Sequence, residues 1–293
     1  MTLTDVDIMM IGHFSRDKIV VDGTTEIASG GAIFYGSIAL HNINRSVAVV
    51  TRLHPDDFPY LDELKQEGIR VFTAAASETS SIENIYDSTD MERRTCKLLG
   101  FAGPFQEQDI PDLSAKVYLI TGVIAGEVNL SLLKSLADRG PVGLDVQGFV
   151  RVPEDGILTF RQMPDIAEVL AHVTYLKVDR AEAELLTDKT DLQIAARQLA
   201  EYGPREVIIT HSKGITVYAD EQIYEASFSP RSLDGRTGRG DTCFATYVGR
   251  RLSDTPEDAA RFAAGVTTLK QEIPGPWRGT VEDVEKLLSK GRI

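Results

Sequence analysis

Hydrophobic and polar positions follow two patterns that alternate along much of the chain. Short apolar runs, typical of buried strands, occupy residues 6–11, 47–50, 117–121, 142–146, 174–178 and 206–210. Apolar residues spaced three or four apart, typical of helices, occupy residues 129–138, 164–171, 180–186, 192–202, 256–271 and 281–289. Strands and helices in alternation predict an α/β fold, with a central, mostly parallel sheet covered by helices on both faces.

Two other stretches lack helical spacing. Residues 14–29 read as a hairpin around the turn Asp22-Gly23, and residues 69–101 contain short runs separated by polar stretches. We therefore expect a single domain over residues 1–293, with a small β-sheet lid contributed by residues 14–29 and 69–101. Residues 56–67 read as a charged surface helix that ends at Gly68.

The most informative stretch, DGRTGRGDTCFATYVGRRL, runs from Asp234 to Leu252. Its first half is a glycine-rich loop, and its second half has the spacing of an amphipathic helix. Glycines bring backbone N–H groups close to a ligand, and a helix N-terminus adds more, so the pattern predicts a phosphate site. A carboxylate in such a site, Asp241, is a candidate general base for an attacking hydroxyl group. The alternative is that Asp241 only caps the helix.

Polar residues also follow the predicted strands, where open α/β sheets bind ligands. Asp17 lies after the first strand, and Gly30-Gly31 precedes a helix; each is a candidate substrate contact, or else a simple turn. Asp179 and Glu182 are three residues apart and share a helix face, which suits Mg²⁺ held through water. The alternative for this pair is a capping box. Arg93 in the lid either reaches an anionic or polyol substrate or is solvated.

Composition narrows the class of partner. The chain has 44 acidic and 31 basic residues, a net charge of −13 and a pI near 4.9. This balance argues against a nucleic-acid partner, because such surfaces need clustered basic residues. Two distant cysteines indicate reduced thiols and a cytoplasmic location, and no apolar run approaches membrane-spanning length.

Taken together, these motifs resemble those of the ribokinase-like (PfkB) carbohydrate kinase family over essentially the whole length. The segment TGRGD, ending at Asp241, resembles the family motif TGAGD, and LKVDRAEAELLT around Asp179 resembles its LKxNxxE element. Asp17, the pair Gly30-Gly31 and the segment IITHSKG, residues 208–214, also match in order and spacing.

The resemblance implies an ATP- and Mg²⁺-dependent kinase that phosphorylates a hydroxyl group of a sugar, an inositol-like polyol or a nucleoside. Its implied site residues are the base Asp241, the anion hole of Gly238, Arg239 and Gly240, the substrate contacts Asp17, Gly30 and Gly31, the nucleotide contacts Thr210, Ser212 and Gly214, and the metal-organising pair Glu182 and Asp179. It places residues 273–276 near the nucleotide base. It also allows for a monovalent cation and for a homodimer through the lid.

Three departures from the family pattern bear on function. Gly235-Arg236-Thr237 replaces the family's usual Asp-Thr-Thr or Asp-Pro-Thr before GAGD, with the Asp one residue earlier at Asp234, and Arg239 replaces a small residue inside the anion hole. Tyr35 stands where the family has a sugar-binding Asn, which favours the inositol- and nucleoside-kinase-like branches. A catalytically silent sensor or scaffold with the same fold is the alternative. The sequence lacks the glycine fingerprint of a dehydrogenase and the Lys-Ser/Thr of a P-loop.

Overall fold

The strands of the protein separate into two sheets of unequal size. A computed structural model of the protein describes residues 5–87, 90–163, 165–291 and 293, with the backbone alone for residues 29, 86–87 and 90–94. In chain order the strands are β1 (Val6–Ile11), β2 (Ser15–Val21), β3 (Thr24–Gly30), β4 (Val47–Leu53), β5 (Arg70–Ala75), β6 (Ser81–Asp87), β7 (Asp90–Gly100), β8 (Ala115–Ile120), β9 (Val142–Asp145), β10 (Arg151–Glu154), β11 (Ile157–Phe160), β12 (Tyr175–Asp179), β13 (Glu206–His211), β14 (Gly214–Ala219) and β15 (Gln222–Ser227). The helices are α1 (Ala32–Asn42), α2 (Asp62–Gln66), α3 (Leu130–Arg139), α4 (Gln147–Val150), α5 (Ile166–Leu170), α6 (Arg180–Thr187), α7 (Leu192–Ala200), α8 (Arg239–Arg251), α9 (Pro256–Gln271) and α10 (Val281–Ser289).

The larger sheet, called the body sheet below, has nine strands in the order β15-β14-β13-β12-β9-β8-β1-β4-β5. Its pairs are parallel except at β13-β14-β15, which form an antiparallel end. The predicted α/β class with a mostly parallel central sheet is confirmed.

Each face of the body sheet contributes to a separate apolar core. In β1, Ile8 and Met10 join the core on one face, while Met9 and Ile11 join the core on the other. Successive side chains of a strand point to opposite faces, so a strand covered by helices on both sides must be apolar throughout. This is why the predicted strands appear as continuous apolar runs.

The smaller sheet, called the lid, has six strands in the order β10-β11-β7-β6-β2-β3. It combines the expected hairpin with strands from the second expected segment. It also includes β10 and β11, which sequence patterns did not assign to it.

One stretch expected in the lid lies elsewhere. The expectation was wrong for β5, which pairs in parallel with β4 at the edge of the body sheet, with Val49 opposite Val71. An edge strand has one unpaired side and a half-buried face, so β5 has the same mixed pattern of polar and apolar residues as a lid strand.

The helix expected over residues 56–67 is also interrupted. A 3₁₀ helix, Pro55–Leu61, precedes the short helix α2. Pro59 has no N–H group to donate, so it prevents a continuous α-helix here.

Three neighbouring strands of the body sheet end at the same edge. In the pairing register, Lys177 lies opposite Asp145, and Asp179 lies opposite Thr210. Because these strands are parallel, their carboxyl ends and the polar residues on them meet at one edge. Helix α8 contacts two of the strands, β12 and β13.

Candidate active site

The glycine-rich loop leads directly into helix α8, which begins two residues before Asp241. Gly238 is the N-cap, with a left-handed backbone (φ 79°) and no side chain to form a capping hydrogen bond. A Cβ atom at Gly238 would overlap the ring of Tyr35, so glycine is required both by the backbone and by space. Asp241 therefore lies in the first turn of the helix and is not its cap, which excludes the capping interpretation.

The first turn of α8 offers backbone donors to an anion. The N–H group of Arg239 donates to the Arg236 carbonyl at 3.2 Å, and that of Thr242 donates to Gly238 at 2.9 Å. Within the described part of the chain, the N–H groups of Gly240 and Asp241 have no backbone acceptor. Together with the partial positive charge of the helix end, these free donors give the loop the properties that an anion site requires.

The surroundings of Asp241 adjust its proton affinity. Burial, together with the nearby carboxylate of Asp145, raises the pKa of Asp241 to about 6. The cations of Lys177, Arg151 and Lys270 oppose this shift. A carboxylate with such a pKa is ionised at neutral pH and remains a better proton acceptor than a solvated Asp, as a general base requires.

A buried ion pair supports this site from the body sheet. The Lys177 ammonium donates to both Asp145 oxygens, at 3.1 and 3.0 Å, and the two residues are 4 % and 1 % exposed. Burial disfavours the ammonium, but the carboxylates of Asp145 and Glu182 together raise the pKa of Lys177 well above its usual range. Gly240 packs on this pair, since a Cβ there would lie 3.6 Å from the Lys177 Nζ.

Lys177 and Asp145 had no role assigned to them from the sequence. The available signal was their position at the ends of two predicted strands. Because the two residues are 32 apart in the chain, only the strand order shows that they pair.

Asp179 and Glu182 form a capping box, which was one of the two interpretations of this pair from the sequence. The Asp179 N–H donates to Glu182 Oε2 at 2.6 Å, and the Glu182 N–H donates to Asp179 Oδ1 at 2.8 Å. The second oxygen of Glu182, Oε1, is buried and has no hydrogen-bond partner among the described residues. Burial raises the pKa of Glu182 to about 8 and the Lys177 ammonium opposes this shift, so a cation bound beside Oε1 would keep the carboxylate ionised at neutral pH.

An unpartnered buried carboxylate oxygen fits a role in holding a hydrated cation. Mg²⁺ in kinase sites keeps several waters and uses few protein carboxylates. No group of three or more His, Cys, Asp or Glu residues within the described ranges is arranged as a metal centre. The residues thus fit an ion held through water and substrate phosphates, and they do not form a closed metal cage.

The expected substrate contacts lie where the lid meets helix α1. Asp17 on β2 accepts a hydrogen bond from the Ile82 N–H at 3.1 Å. Gly31 caps α1 with φ 80°, and a Cβ there would lie 2.5 Å from the His13 carbonyl oxygen. The side chain of Arg93, another expected contact, lies outside the described residues.

Tyr35 connects this acceptor end to the glycine loop. Its ring is the nearest group to the Cβ position of Gly30, at 3.1 Å, and it also fills the space beside Gly238. Burial, then the carboxylates of Asp241 and Asp17, raise the pKa of the Tyr35 hydroxyl to about 12. From the sequence, Tyr35 was only a departure from the family pattern. The fold places its ring between the expected substrate contacts and the glycine loop.

The expected nucleotide contacts lie at the opposite end, beyond Lys177. Thr210 is buried, with its hydroxyl 4.0 Å from the Cβ position of Gly240. Ser212 is exposed, and Gly214 lies in the hairpin of β14 and β15, where a Cβ would overlap the Ala226 carbonyl. Packing alone therefore accounts for a glycine at position 214.

Cations are concentrated at this donor end. Burial lowers the pKa of His211, the positive charges of Arg180, Arg239 and Lys213 lower it further, and the carboxylate of Glu225 raises it. In a chain with a net charge of −13, these three cations outnumber the one carboxylate that acts on His211, so this end of the site is locally rich in positive charge.

A protein-family model and several known proteins are similar to this chain. Residues 6–275 match the family described as pfkB family carbohydrate kinase. A solved pyrophosphate-dependent kinase in the ribokinase family, complexed with a pyrophosphate analogue and myo-inositol, is 36% identical to this chain. That similarity covers 95% of this chain and 99% of the other, with a TM-score of 0.88.

Two further proteins are similar at lower identity. A cytidine kinase of Thermococcus kodakarensis is 27% identical over 291 residues, covering 94% of this chain and all of the relative. The Arabidopsis thaliana ribokinase, complexed with ribose and ATP, is 19% identical with a TM-score of 0.76, covering 97% of this chain and 98% of that one. The ribokinase therefore shares the fold. Within the described part of the chain, none of the helices is both long enough and apolar enough to span a membrane.

Proposed function

Because this chain belongs to the pfkB family of carbohydrate kinases, we propose that it transfers a phosphoryl group from pyrophosphate to a hydroxyl group of an inositol-like polyol. The donor differs from the ATP expected from sequence. The observation that carries this proposal is the concentration of cations at the donor end of the site.

Pyrophosphate offers a protein only charged phosphate oxygens to bind, whereas ATP also offers an aromatic base and a ribose. Arg239 lies in the first turn of α8, where the family motif has a small residue, and Arg180 and Lys213 share its neighbourhood around His211. Guanidinium groups match phosphate oxygens in charge and geometry. The similar kinase that binds a pyrophosphate analogue supports the same donor for this chain.

The residues divide the reaction between them. The acceptor hydroxyl gives its proton to the Asp241 carboxylate as its oxygen bonds to the nearer phosphorus of the donor. The bond from that phosphorus to the bridging oxygen breaks, and orthophosphate leaves with the bridging oxygen. Backbone N–H groups of the first turn of α8 stabilise the charge on the transferred group, which is the main requirement of phosphoryl transfer.

Glu182 is the residue we assign to hold Mg²⁺ through water, with Asp179 fixing its orientation through the capping box. The ion, when bound, neutralises charge on the donor phosphates. The buried, unpartnered Glu182 Oε1 is the atom available for that contact among the described residues.

The acceptor binds at the end of the site formed by Asp17, Gly30, Gly31 and Tyr35. A carboxylate beside close-packed backbone suits an acceptor with several hydroxyl groups, since each can donate to an oxygen of Asp17. The Tyr35 ring is a flat apolar wall against which a cyclic polyol can pack. The similar kinase complexed with myo-inositol supports this choice.

We also propose a homodimer through the lid. Four large apolar side chains of the lid are exposed: Ile27, Leu99, Ile157 and Phe160. Sedimentation equilibrium measures the molecular mass independently of shape. A particle of 32.2 kDa at micromolar concentration would contradict the dimer.

The test of the reaction measures phosphate or ADP release with Mg²⁺, using pyrophosphate or ATP against myo-inositol, cytidine and ribose. Asp241→Asn keeps the shape of the side chain but cannot take the proton, so we expect turnover to fall about 10²- to 10⁴-fold. Asp138→Asn, at an exposed position on α3, is the matched control and should retain full activity.

Each outcome of this panel has a distinct meaning. Turnover with pyrophosphate and inositol, lost in Asp241→Asn, supports the proposal. Turnover with ATP alone overturns the donor, and preference for cytidine or ribose overturns the acceptor. Donor binding without any turnover favours the catalytically silent alternative, and near-normal activity of Asp241→Asn removes the assigned base.

A further inference from the structure

Lys270, in the last turn of α9, is a buried cation that the reaction described above does not use. It is 1 % exposed, and its ammonium donates to the backbone carbonyl of Gly235 at 2.6 Å. The next residue continues the contact, because the Gln271 carbonyl accepts the Gly235 N–H at 2.8 Å. Two peptide groups at Gly235 are therefore held by the end of α9.

The other end of the same loop is held by Tyr35. The Lys270 Nζ lies 5.2 Å from the centre of the Tyr35 ring, within the range of a cation–π interaction. That ring packs where a Cβ of Gly238 would otherwise lie. The ammonium and the ring thus form one unit that contacts the glycine loop at Gly235 and at Gly238.

Lys270 differs from the other buried lysine of the site. Lys177 pairs with the Asp145 carboxylate at 3.0 Å, whereas no carboxylate within the described ranges lies within 4 Å of the Lys270 ammonium. Burying an ammonium group without a close counter-ion costs free energy, so a lysine buried in this way is expected to have a specific role. The carboxylate whose charge acts on Lys270 is Asp241.

We propose that Lys270 is a positioning residue for phosphoryl transfer. Its ammonium fixes the loop from Gly235 to Gly238 so that the first-turn N–H groups of α8 point at the transferred group, and it keeps a positive charge facing Asp241. This inference rests on the proposed function.

Electrostatics at this position agree with the geometry. Burial lowers the pKa of Lys270 to about 8, against the favourable charge of Asp241, so the residue is charged at neutral pH. Among the described residues, the charges that act most strongly on Asp241 are the carboxylate of Asp145 and the cations of Lys177, Arg151 and Lys270. Replacing Lys270 with a neutral residue removes one of these cations and so raises the pKa of Asp241, because the carboxylate loses part of its stabilisation.

The experiment compares Lys270→Met, Lys270→Arg and the control Lys286→Met, which changes an exposed lysine on α10. For Lys270→Met we expect kcat to fall about 10²-fold, the cost of a slightly misplaced site. The acidic limb of its kcat/KM profile should also move to higher pH. Lys270→Arg keeps the charge and should keep the acidic limb at the wild-type pH, and the control should match the wild type in both measurements.

The pH profile separates positioning from simple structural support. Loss of turnover with an unchanged acidic limb in the residual activity would show that Lys270 only stabilises the fold, and would overturn the inference. Activity within twofold of wild type for Lys270→Met would overturn it as well.

A measurement on the unmodified chain covers the case in which Lys270→Met does not fold. Turnover should decline above about pH 8, where Lys270 loses its proton, while the melting temperature does not fall, because deprotonating a lysine with a lowered folded-state pKa does not destabilise the fold. Constant turnover up to pH 10 would overturn the inference. A wild-type chain that is silent with every donor and acceptor overturns the proposed function together with the inference, whereas an active Lys270→Met overturns the inference alone.

Discussion

The body sheet and the lid use charged residues in opposite ways. In the body sheet, Lys177 and Asp145 form an ion pair that is almost completely buried. In the lid, Arg161 follows β11 and donates to Glu154 on β10 at 2.7 Å, with the two side chains 56 % and 39 % exposed. Both pairs are hydrogen-bonded, but only the buried pair is shielded from water.

This difference follows from how the two sheets are covered. Helices cover both faces of the body sheet, so charges within it act at low dielectric and must be paired. The lid is one layer whose strands are largely half-exposed, as the pattern of β2 shows. We infer that the body sheet supplies the fixed electrostatics of phosphoryl transfer, while the lid contributes the acceptor contact Asp17.

The largest expected effect is the difference in stability between a variant that breaks the buried ion pair of the body sheet and one that breaks the exposed ion pair of the lid. Lys177→Met leaves Asp145 buried without its partner, so we expect the free energy of unfolding to fall by about 3–5 kcal/mol. Arg161→Met in the lid should cause no measurable change, because water screens the pair. Urea denaturation of both variants measures the difference. Equal losses would contradict the contrast between the two sheets.

The second comparison uses two glycines with the same backbone. Gly238 in the anion-binding loop and Gly156 in the β10–β11 turn both have φ 79°. Alanine strains either backbone by about 1–2 kcal/mol, but only at Gly238 does it also meet a neighbour, the Tyr35 ring. We therefore expect Gly238→Ala to lose about 10²-fold in kcat/KM, through displacement of the first turn of α8.

Gly156→Ala is the matched control for that change. A Cβ there has no neighbour within 4 Å, so a small loss of stability without loss of activity is expected. Steady-state kinetics and thermal melts of both variants test this. Similar activities in the two variants would show that the contact between Gly238 and Tyr35 is unimportant.

The smallest expected effect is a change in KM for the acceptor, which distinguishes the proposed acceptor contact Asp17 from the proposed base Asp241. Asp17→Asn should raise the KM for the acceptor about 10-fold, the cost of weakening one charged hydrogen bond, with little change in kcat. Asp22→Asn, in the exposed turn of the same hairpin, is the control.

The pH profile should distinguish Asp17 from Asp241 further. Asp241 accepts a proton only as a carboxylate, so wild-type turnover should fall as the pH drops below about 6. Asp17→Asn should keep this acidic limb at the same pH, because the role proposed for Asp17 is to bind the acceptor without taking a proton. If the acidic limb disappeared in Asp17→Asn, the titrating carboxylate would be Asp17 in the lid and not Asp241.

The sequence by itself determined the features that depend on local chemistry. Continuous apolar runs predicted the strands covered on both faces, since any polar residue there would be buried. The glycines and Asp241 predicted the anion-binding turn, because the required backbone and charge are encoded within a few residues. The capping box of Asp179 and Glu182 was likewise readable from a spacing of three.

Only the tertiary structure decided which distant residues meet. It placed β5 in the body sheet and β10 with β11 in the lid, because strand pairing joins segments far apart in the chain and the amphipathic pattern of an edge strand fits either sheet. It also brought Lys177 to Asp145 and Lys270 to Gly235. A lysine in the sequence carries the same charge wherever it lies, and burial beside a particular partner, which the fold alone creates, gives that charge its role.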